Sequence, residues 1–176
     1  MKLFFNPSDD MGPHISLIHT IVKNLSPDVV LEIGVRSGVS TKAIMSGMLE
    51  SETPGEYHGC DINHNVKLPQ IYGNSLLHIM TSDNLALLWT KKLDILFIDG
   101  SHEYSQVKKD YLNFSKFLSL NGIMFFHDTY PPEEKYKSQS LCGTAYKILN
   151  DIKQDKRFEC ITLPYSFGLT ICRRIE

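Results

Sequence analysis

Short apolar runs alternate along this chain with longer stretches in which apolar positions recur every three or four residues. Residues 29–33 (Val29-Val30-Leu31-Glu32-Ile33) form a β-branched run between Pro27 and Gly34, which predicts a buried strand. Residues 40–49 then read as a helix, 57–61 as a second strand and 76–81 as a third, with Ser82 or Asp83 capping a helix that runs through Leu88. Residues 93–98 are continuously apolar after Asp94, the mark of a central strand covered on both faces. Apolar residues at 104, 107, 111, 114, 117 and 118 give residues 104–118 helical spacing. A fifth strand over 122–126, a helix over 144–152 and two closing strands over 158–163 and 168–172 complete the pattern. The tight link Pro164-Tyr165-Ser166-Phe167 between the last two predicts an antiparallel hairpin.

Repeated strand–helix alternation implies a Rossmann-like α/β fold: a seven-stranded, mostly parallel sheet with helices on both faces and a C-terminal antiparallel hairpin. Residues 1–26 read as an N-terminal extension carrying a helix over 15–25. Residues 130–142, with Pro131-Pro132 and Glu133-Glu134, are the one long irregular stretch and a candidate lid or substrate loop. A length of 176 residues fits a single domain over 1–176.

Composition narrows the function classes. Apolar content of 42% and charged content of 22% are ordinary for a globular domain, and a net charge of −2 gives no footprint for nucleic acid or an anionic membrane. The apolar run at 3–5 is too short for a signal-peptide core, and no segment is long enough to span a bilayer. Four cysteines at 60, 142, 160 and 172 form no Cys-x-x-Cys pair, so free thiols in a reducing, cytoplasmic setting are expected.

The first strand runs out into Leu31-Glu32-Ile33-Gly34-Val35-Arg36-Ser37-Gly38. In an open parallel sheet, ligands bind beyond the carboxyl ends of the strands, near the point where strand order reverses. Gly34 permits the sharp exit from the strand and Gly38 opens the helix, where Ser37, Ser40 and Thr41 can cap its first amides. A dinucleotide fingerprint needs glycine where Arg36 stands, so a diphosphate, and with it a dinucleotide oxidoreductase, is disfavoured. Asp61 ends the second strand, where a carboxylate can accept both hydroxyls of a ribose. Asp83 follows the third strand, within reach of an adenine amino group or as a plain helix cap.

With these residues in place the sequence resembles the class I S-adenosylmethionine-dependent methyltransferases from Val29 to the closing Phe167-Gly168-Leu169-Thr170-Ile171-Cys172 strand. The resemblance implies S-adenosyl-L-methionine as cofactor, with Glu32 serving its methionine end, Asp61 the ribose and Asp83 the adenine side; Gly34, Arg36, Ser37, Gly38 and Asp99 complete the expected cofactor set.

The more distinctive stretch is Leu93-Asp94-Ile95-Leu96-Phe97-Ile98-Asp99-Gly100-Ser101-His102-Glu103-Tyr104, followed by Phe126-His127-Asp128-Thr129. If the fourth and fifth strands pair, about 4.8 Å apart, Asp99, His102, His127 and Asp128 converge at one sheet edge. An alcohol is a poor nucleophile at neutral pH and needs a base, a metal ion or both. His102 suits the base, and Asp99 and Asp128 are hard oxygen donors for a divalent ion. Read blandly, Asp99 caps a helix with Ser101, and His127-Asp128 is a structural pair. The Asp-Gly-Ser-His stretch resembles the macrocin- and mycinamicin-type sugar O-methyltransferases and the related cephalosporin-hydroxylase-like group. That resemblance implies Asp99 and Asp128 as ligands to magnesium or manganese and His102 as general base. The sequence departs at His127, where those relatives carry glutamate. Imidazole suits zinc, iron or manganese better than magnesium, and the metal set becomes Asp99, His127 and Asp128. The chain is also shorter than those relatives. The expected partner is a small-molecule acceptor, a saccharide foremost, contacted by Tyr104, Tyr130, the 131–142 loop and the first dozen residues; nucleic acid and membrane are not expected, and a homo-oligomer could complete the pocket. A catechol-type O-methyltransferase and a non-catalytic S-adenosylmethionine-binding module are the competing readings.

Overall fold

A computed structural model describes residues 10–53, 55–138 and 140–176. The first nine residues, which include the apolar run at 3–5 and most of the N-terminal stretch expected to contact the acceptor, lie outside the described residues, as does position 139 in the 131–142 loop.

The sheet holds seven strands: β1 (Val29–Ile33), β2 (Glu56–Asp61), β3 (Ser75–Ile79), β4 (Leu93–Ile98), β5 (Leu118–His127), β6 (Phe158–Leu163) and β7 (Leu169–Arg174). Their order is β3-β2-β1-β4-β5-β7-β6, with β1 to β5 parallel and β7 antiparallel to both β5 and β6. The reversal of order lies between β1 and β4, so the carboxyl ends of those two strands open onto the crevice where α/β sheets bind ligands.

Side-chain alternation builds one core on each face. Val30, Ile95, Phe97 and Phe125 face α1 (Ile15–Leu25) and α2 (Val39–Leu49). Leu31, Ile33, Leu96, Ile98, Met124 and Phe126 face α3 (Ser82–Leu88), α4 (Tyr104–Phe114) and α5 (Ile148–Ile152). No helix among the described residues is long and apolar enough to cross a membrane. All four cysteines are free thiols, three of them buried.

Several local expectations are corrected. The cap of α3 is Thr81, whose hydroxyl accepts the Asn84 amide at 3.2 Å, not Ser82 or Asp83. The cap position of α2 is Gly38, left-handed at φ +74°; Ser37, Ser40 and Thr41 make no cap, because a buried carboxylate claims the last two hydroxyls. The helix expected over 104–118 ends at Phe114 in a 3-10 turn, and β5 starts four residues earlier than Gly122 suggested. A register shift after Leu93 makes this possible: β5 pairs Leu118 with Leu93, then resumes with Ile123 opposite Ile95. Asn121, at φ +66°, lies in the intervening kink. The helix expected over 144–152 is a 3-10 turn followed by the short α5.

Candidate active site

The loop after β1 is fixed by its neighbours in sequence and space. A Cβ on Gly34, at φ +93°, would stand 2.3 Å from the Asp99 carbonyl oxygen, so only glycine lets β1 turn this close to the end of β4. Arg36 is itself left-handed, at φ +47°. Asp61 Oδ2 holds the turn by accepting the amides of Val35 at 3.1 Å and Arg36 at 2.9 Å, while its Oδ1 accepts the Asn63 amide at 2.8 Å. The acid expected at a ribose thus also clamps the glycine turn.

Two cavities of about 300 Å³ each meet here. Both are bounded by Gly34, Asp61 and Gly100. The first runs from Ile33 and Cys60 past Ile62 and Met80 to a polar end formed by Ser82, Asp83, Gln106 and Asp110. The second is lined by Asp10, Arg36, Asp99, His102, His127 and Asp128, with Ser140 and Leu141 as a wall. Asp61, Asp83, Arg36, Asp99, His102, His127 and Asp128 are therefore all gathered at one sheet edge.

Glu32, Ser37 and Gly38 line neither cavity. Glu32 is fully buried, and its carboxyl accepts hydroxyls from Ser40, from Thr41 at 2.7 Å and from Tyr57. It ties β1 to α2 and β2. Burial pushes it up from an ordinary 4.5 to about 7, against the pull of the three hydroxyls. Tyr104 is also directed elsewhere: its hydroxyl donates to Asp151 at 2.7 Å.

In the second cavity, His102 Nε2 lies 3.0 Å from Asp128 Oδ2, and His127 Nδ1 lies 3.4 Å from Asp99 Oδ1 and 3.5 Å from Asp128 Oδ1. Asp128 is 3% exposed and left-handed at φ +58°, a costly conformation that aims its two oxygens at two different imidazoles. The other nitrogen of His127 faces the Ser166 carbonyl at 3.3 Å. Carboxylates on one side and a carbonyl on the other are acceptors only, so His127 is held as an imidazolium. Burial opposes that charge, but Asp99 and Asp128 outweigh it and raise His127 to about 9.

Sequence reasoning missed three participants. His14 is fully buried at the start of α1, stacked on Tyr165 with ring centroids 4.8 Å apart and edge-on to His127 at 5.8 Å. Its Nε2 faces the same Ser166 carbonyl at 3.4 Å. No local pattern marks it. Asp10 lies just ahead of the same helix, and nothing in its spacing linked it to Asp128. Asp110 did carry a signal: three residues after Val107 and four before Phe114, it is a carboxylate on the apolar face of α4.

Ligand atoms of Asp10, His127 and Asp128, and separately of Asp99, His102 and Asp128, lie within 4.8 Å of one another. The cluster can therefore hold a divalent ion, and its mixed imidazole–carboxylate donors suit manganese, iron or zinc more than magnesium.

Comparison with known proteins agrees with this fold. The family described as "Methyltransferase domain" matches residues 31–129. Among curated proteins, an uncharacterized protein, y4gI, of Sinorhizobium fredii is 28% identical over 143 residues, covering 72% of this chain but 16% of its own. The chain thus spans about a sixth of the length of that relative. Among solved structures, the S-adenosylhomocysteine-bound methyltransferase PaMTH1 of Podospora anserina superposes with a TM-score of 0.71 at 20% identity, covering 98% of this chain and 83% of that one. An O-methyltransferase of Bacillus cereus in complex with S-adenosylhomocysteine gives 0.74 at 11% identity, covering 99% and 84%. TomG of Streptomyces achromogenes, an O-methyltransferase involved in tomaymycin synthesis, gives 0.72 at 11% identity, covering 93% and 80%. At these identities the likeness is one of fold.

Proposed function

The chain belongs to the methyltransferase domain family, and we propose that it moves a methyl group from S-adenosylmethionine to a hydroxyl oxygen of a small polar acceptor, a sugar before a catechol. One observation carries this reading: a nucleoside-sized cavity and a cavity holding the His102–Asp128 pair share Gly34, Asp61 and Gly100 as walls. A donor lying along both would bring its methyl group over the seam between them.

The residues present fit that donor. A pocket of about 300 Å³ lined by Ile33, Ile62 and Met80 and closed by polar groups is of the kind that encloses an adenosine. Asp61, on the wall the two cavities share, is the carboxylate available to a ribose, Asp83 lies at the polar end, and Arg36, in the lining of the second cavity, is the cation available to a methionine carboxylate. The bound donor supplies an already activated sulfonium methyl, so the chain's own work is orientation and proton removal. His102 would take the proton of the acceptor hydroxyl as that oxygen receives the methyl group the bound donor supplies. Asp128 stabilises the imidazolium that results. An ion held by Asp99 and Asp128 would polarise the same hydroxyl.

The polar lining supports the sugar reading: Asp10, Asp61, Asp99 and Asp128, with Arg36 and His127 among them, offer acceptors and donors to the several hydroxyls of a polyol. The catechol reading draws on the same carboxylates as metal ligands. The test is transfer of a labelled methyl group to neutral monosaccharides, glycosides and catechols, with and without manganese. Methylated glycoside is the expected product. Transfer to catechol alone, and only with metal, would sink the sugar assignment; S-adenosylhomocysteine binding without any transfer would leave a binding module.

A further inference from the structure

The closing hairpin sets two thiols face to face, and neither lines the two cavities of the candidate active site. Cys160 on β6 stands directly opposite Cys172 on β7. The kind of pairing follows from the hydrogen bonds around it. Ile175 donates its amide to the Arg157 carbonyl at 2.8 Å, which makes Arg157 and Ile175 a hydrogen-bonded pair just beyond the ends of the two strands. Hydrogen-bonded and non-hydrogen-bonded pairs alternate along an antiparallel ladder. Counting inward, Cys160–Cys172 and Thr162–Thr170 are both of the non-hydrogen-bonded kind, in which opposite Cα atoms come to about 4.5 Å and side chains lie closest. The threonine pair shows that closeness, with its two hydroxyl oxygens 2.8 Å apart. Such a spacing falls within the range a disulfide can bridge, about 4.4 to 6.8 Å between Cα atoms.

The two thiols differ in access and in charge. Cys160 is exposed on the edge strand and Cys172 is fully buried. The Cys172 thiol donates to the Cys160 sulfur, and that bond draws Cys160 below the ordinary thiol value. Burial, with Cys160 beside it, pushes Cys172 well above that value. Burial also pushes Cys60 and Cys142 up to about 12. The thiolate is the reactive form, and Cys160 alone among the four is both exposed and drawn toward it. We propose that Cys160 and Cys172 are a redox modification site, at which a small-molecule disulfide such as glutathione disulfide makes a reversible cross-strand disulfide. The Cys160 thiolate attacks one sulfur of glutathione disulfide; a bond from Cys160 to glutathione forms, and the other glutathione leaves as its thiolate. Cys172 then attacks the Cys160 sulfur. The bond between the two cysteines forms, the bond to glutathione breaks, and the Cys172 proton goes to the departing glutathione. Two thiols of the chain are oxidised and one glutathione disulfide is reduced to two glutathiones. The link joins the two strands whose turn presents the Ser166 carbonyl to His14 and His127.

The experiment incubates the reduced full chain with glutathione disulfide, digests it without reductant and maps linked and glutathione-bearing cysteines by mass spectrometry, with folding of each variant checked by circular dichroism. The wild-type chain should lose two hydrogens and give one linked pair, Cys160 with Cys172, at least about tenfold faster than Cys60 or Cys142 reacts. Dithiothreitol should restore both thiols. Cys160→Ser should form no link. Cys172→Ser should stop at a lasting glutathione adduct on Cys160, because the thiol that displaces glutathione is gone. Cys172→Val, which keeps an apolar side chain in the core, covers the case of a serine variant that does not fold. A wild-type chain that holds a lasting adduct on Cys160, joins a different pair, fails to react or links only in urea overturns the proposal. So does a folded Cys172 variant in which Cys160 takes up no glutathione.

Discussion

Asp61 Oδ2 accepts the backbone amide of Arg36 at 2.9 Å, and the same oxygen takes Val35 at 3.1 Å. A carboxylate at the end of the neighbouring strand β2 therefore holds the shape of the loop after β1. Asp61→Ala should weaken S-adenosylhomocysteine binding by at least about thirtyfold, because charge-assisted bonds to two amides are lost along with any bond to the ribose. Calorimetry measures it. An affinity within threefold of wild type would mean that the turn holds its shape unaided.

His102 and Asp128 act as one unit, so their losses should not add. His102→Ala should lower the methyl-transfer rate by about 10²- to 10⁴-fold while leaving S-adenosylhomocysteine affinity within twofold. Asp128→Asn should fall in the same range, and the double variant should be no slower than the worse of the two. Steady-state rates at saturating donor decide this, and multiplicative losses would show two independent roles.

Glu32 gives the fold a pH dependence of definite sign. Its pKa is raised in the folded state from 4.5 to about 7, so the folded chain keeps a proton that the unfolded chain releases. The stabilisation is complete below pH 4.5 and is lost as pH rises through 7, about 3 kcal/mol in order of magnitude. Glu32→Gln, neutral throughout, removes this slope. Thermal melts between pH 5 and 8 should show the wild type losing stability relative to the variant, with the variant the more stable at pH 8. Parallel curves would place the carboxyl's titration elsewhere.

Divalent ions must compete with a proton. His127, raised to about 9 by Asp99 and Asp128, would have to give up its proton to join Asp10 and Asp128 around an ion. Manganese or zinc should bind more tightly than magnesium by at least about tenfold and should release a proton on binding. Calorimetry in two buffers of different ionisation enthalpy detects that release. Tight magnesium binding with no proton release would show that His127 stands outside the ion's surroundings.

Much of this was legible in the sequence because it depends on local pattern. The strand ends at Ile33, Asp61 and Ile98 and the closing hairpin follow from apolar runs and their punctuation, and they bring Asp99, His102, His127 and Asp128 to one edge. Residues read from their neighbours alone were misjudged where tertiary contacts compete. Ser40 and Thr41 look like helix caps, but Glu32 is buried within their reach and takes both hydroxyls. Glu32 is given to the methionine end by the family resemblance; only the packed structure shows its side chain on the α2 face, bonded by three hydroxyls. His14 could not be found at all: its partner carbonyl, on Ser166, is 152 residues away. Asp110 was visible as a polar residue on an apolar helix face, but only the packed structure shows that one of its oxygens faces no donor.

That shared Ser166 carbonyl also sets an order of events during synthesis. It comes from a turn in which Ser166, Phe167 and Gly168 are all left-handed, and a Cβ on Gly168 would lie 2.5 Å from the Tyr130 nitrogen. By the time β5 has left the ribosome, the chain already carries Asp99, His102, His127 and Asp128, but it does not yet carry the oxygen that fixes the far side of the His127 ring. The hairpin is made after every acid and base it serves. A chain halted after Asp128 would hold all four of these groups and still lack the carbonyl that faces the far side of the His127 ring.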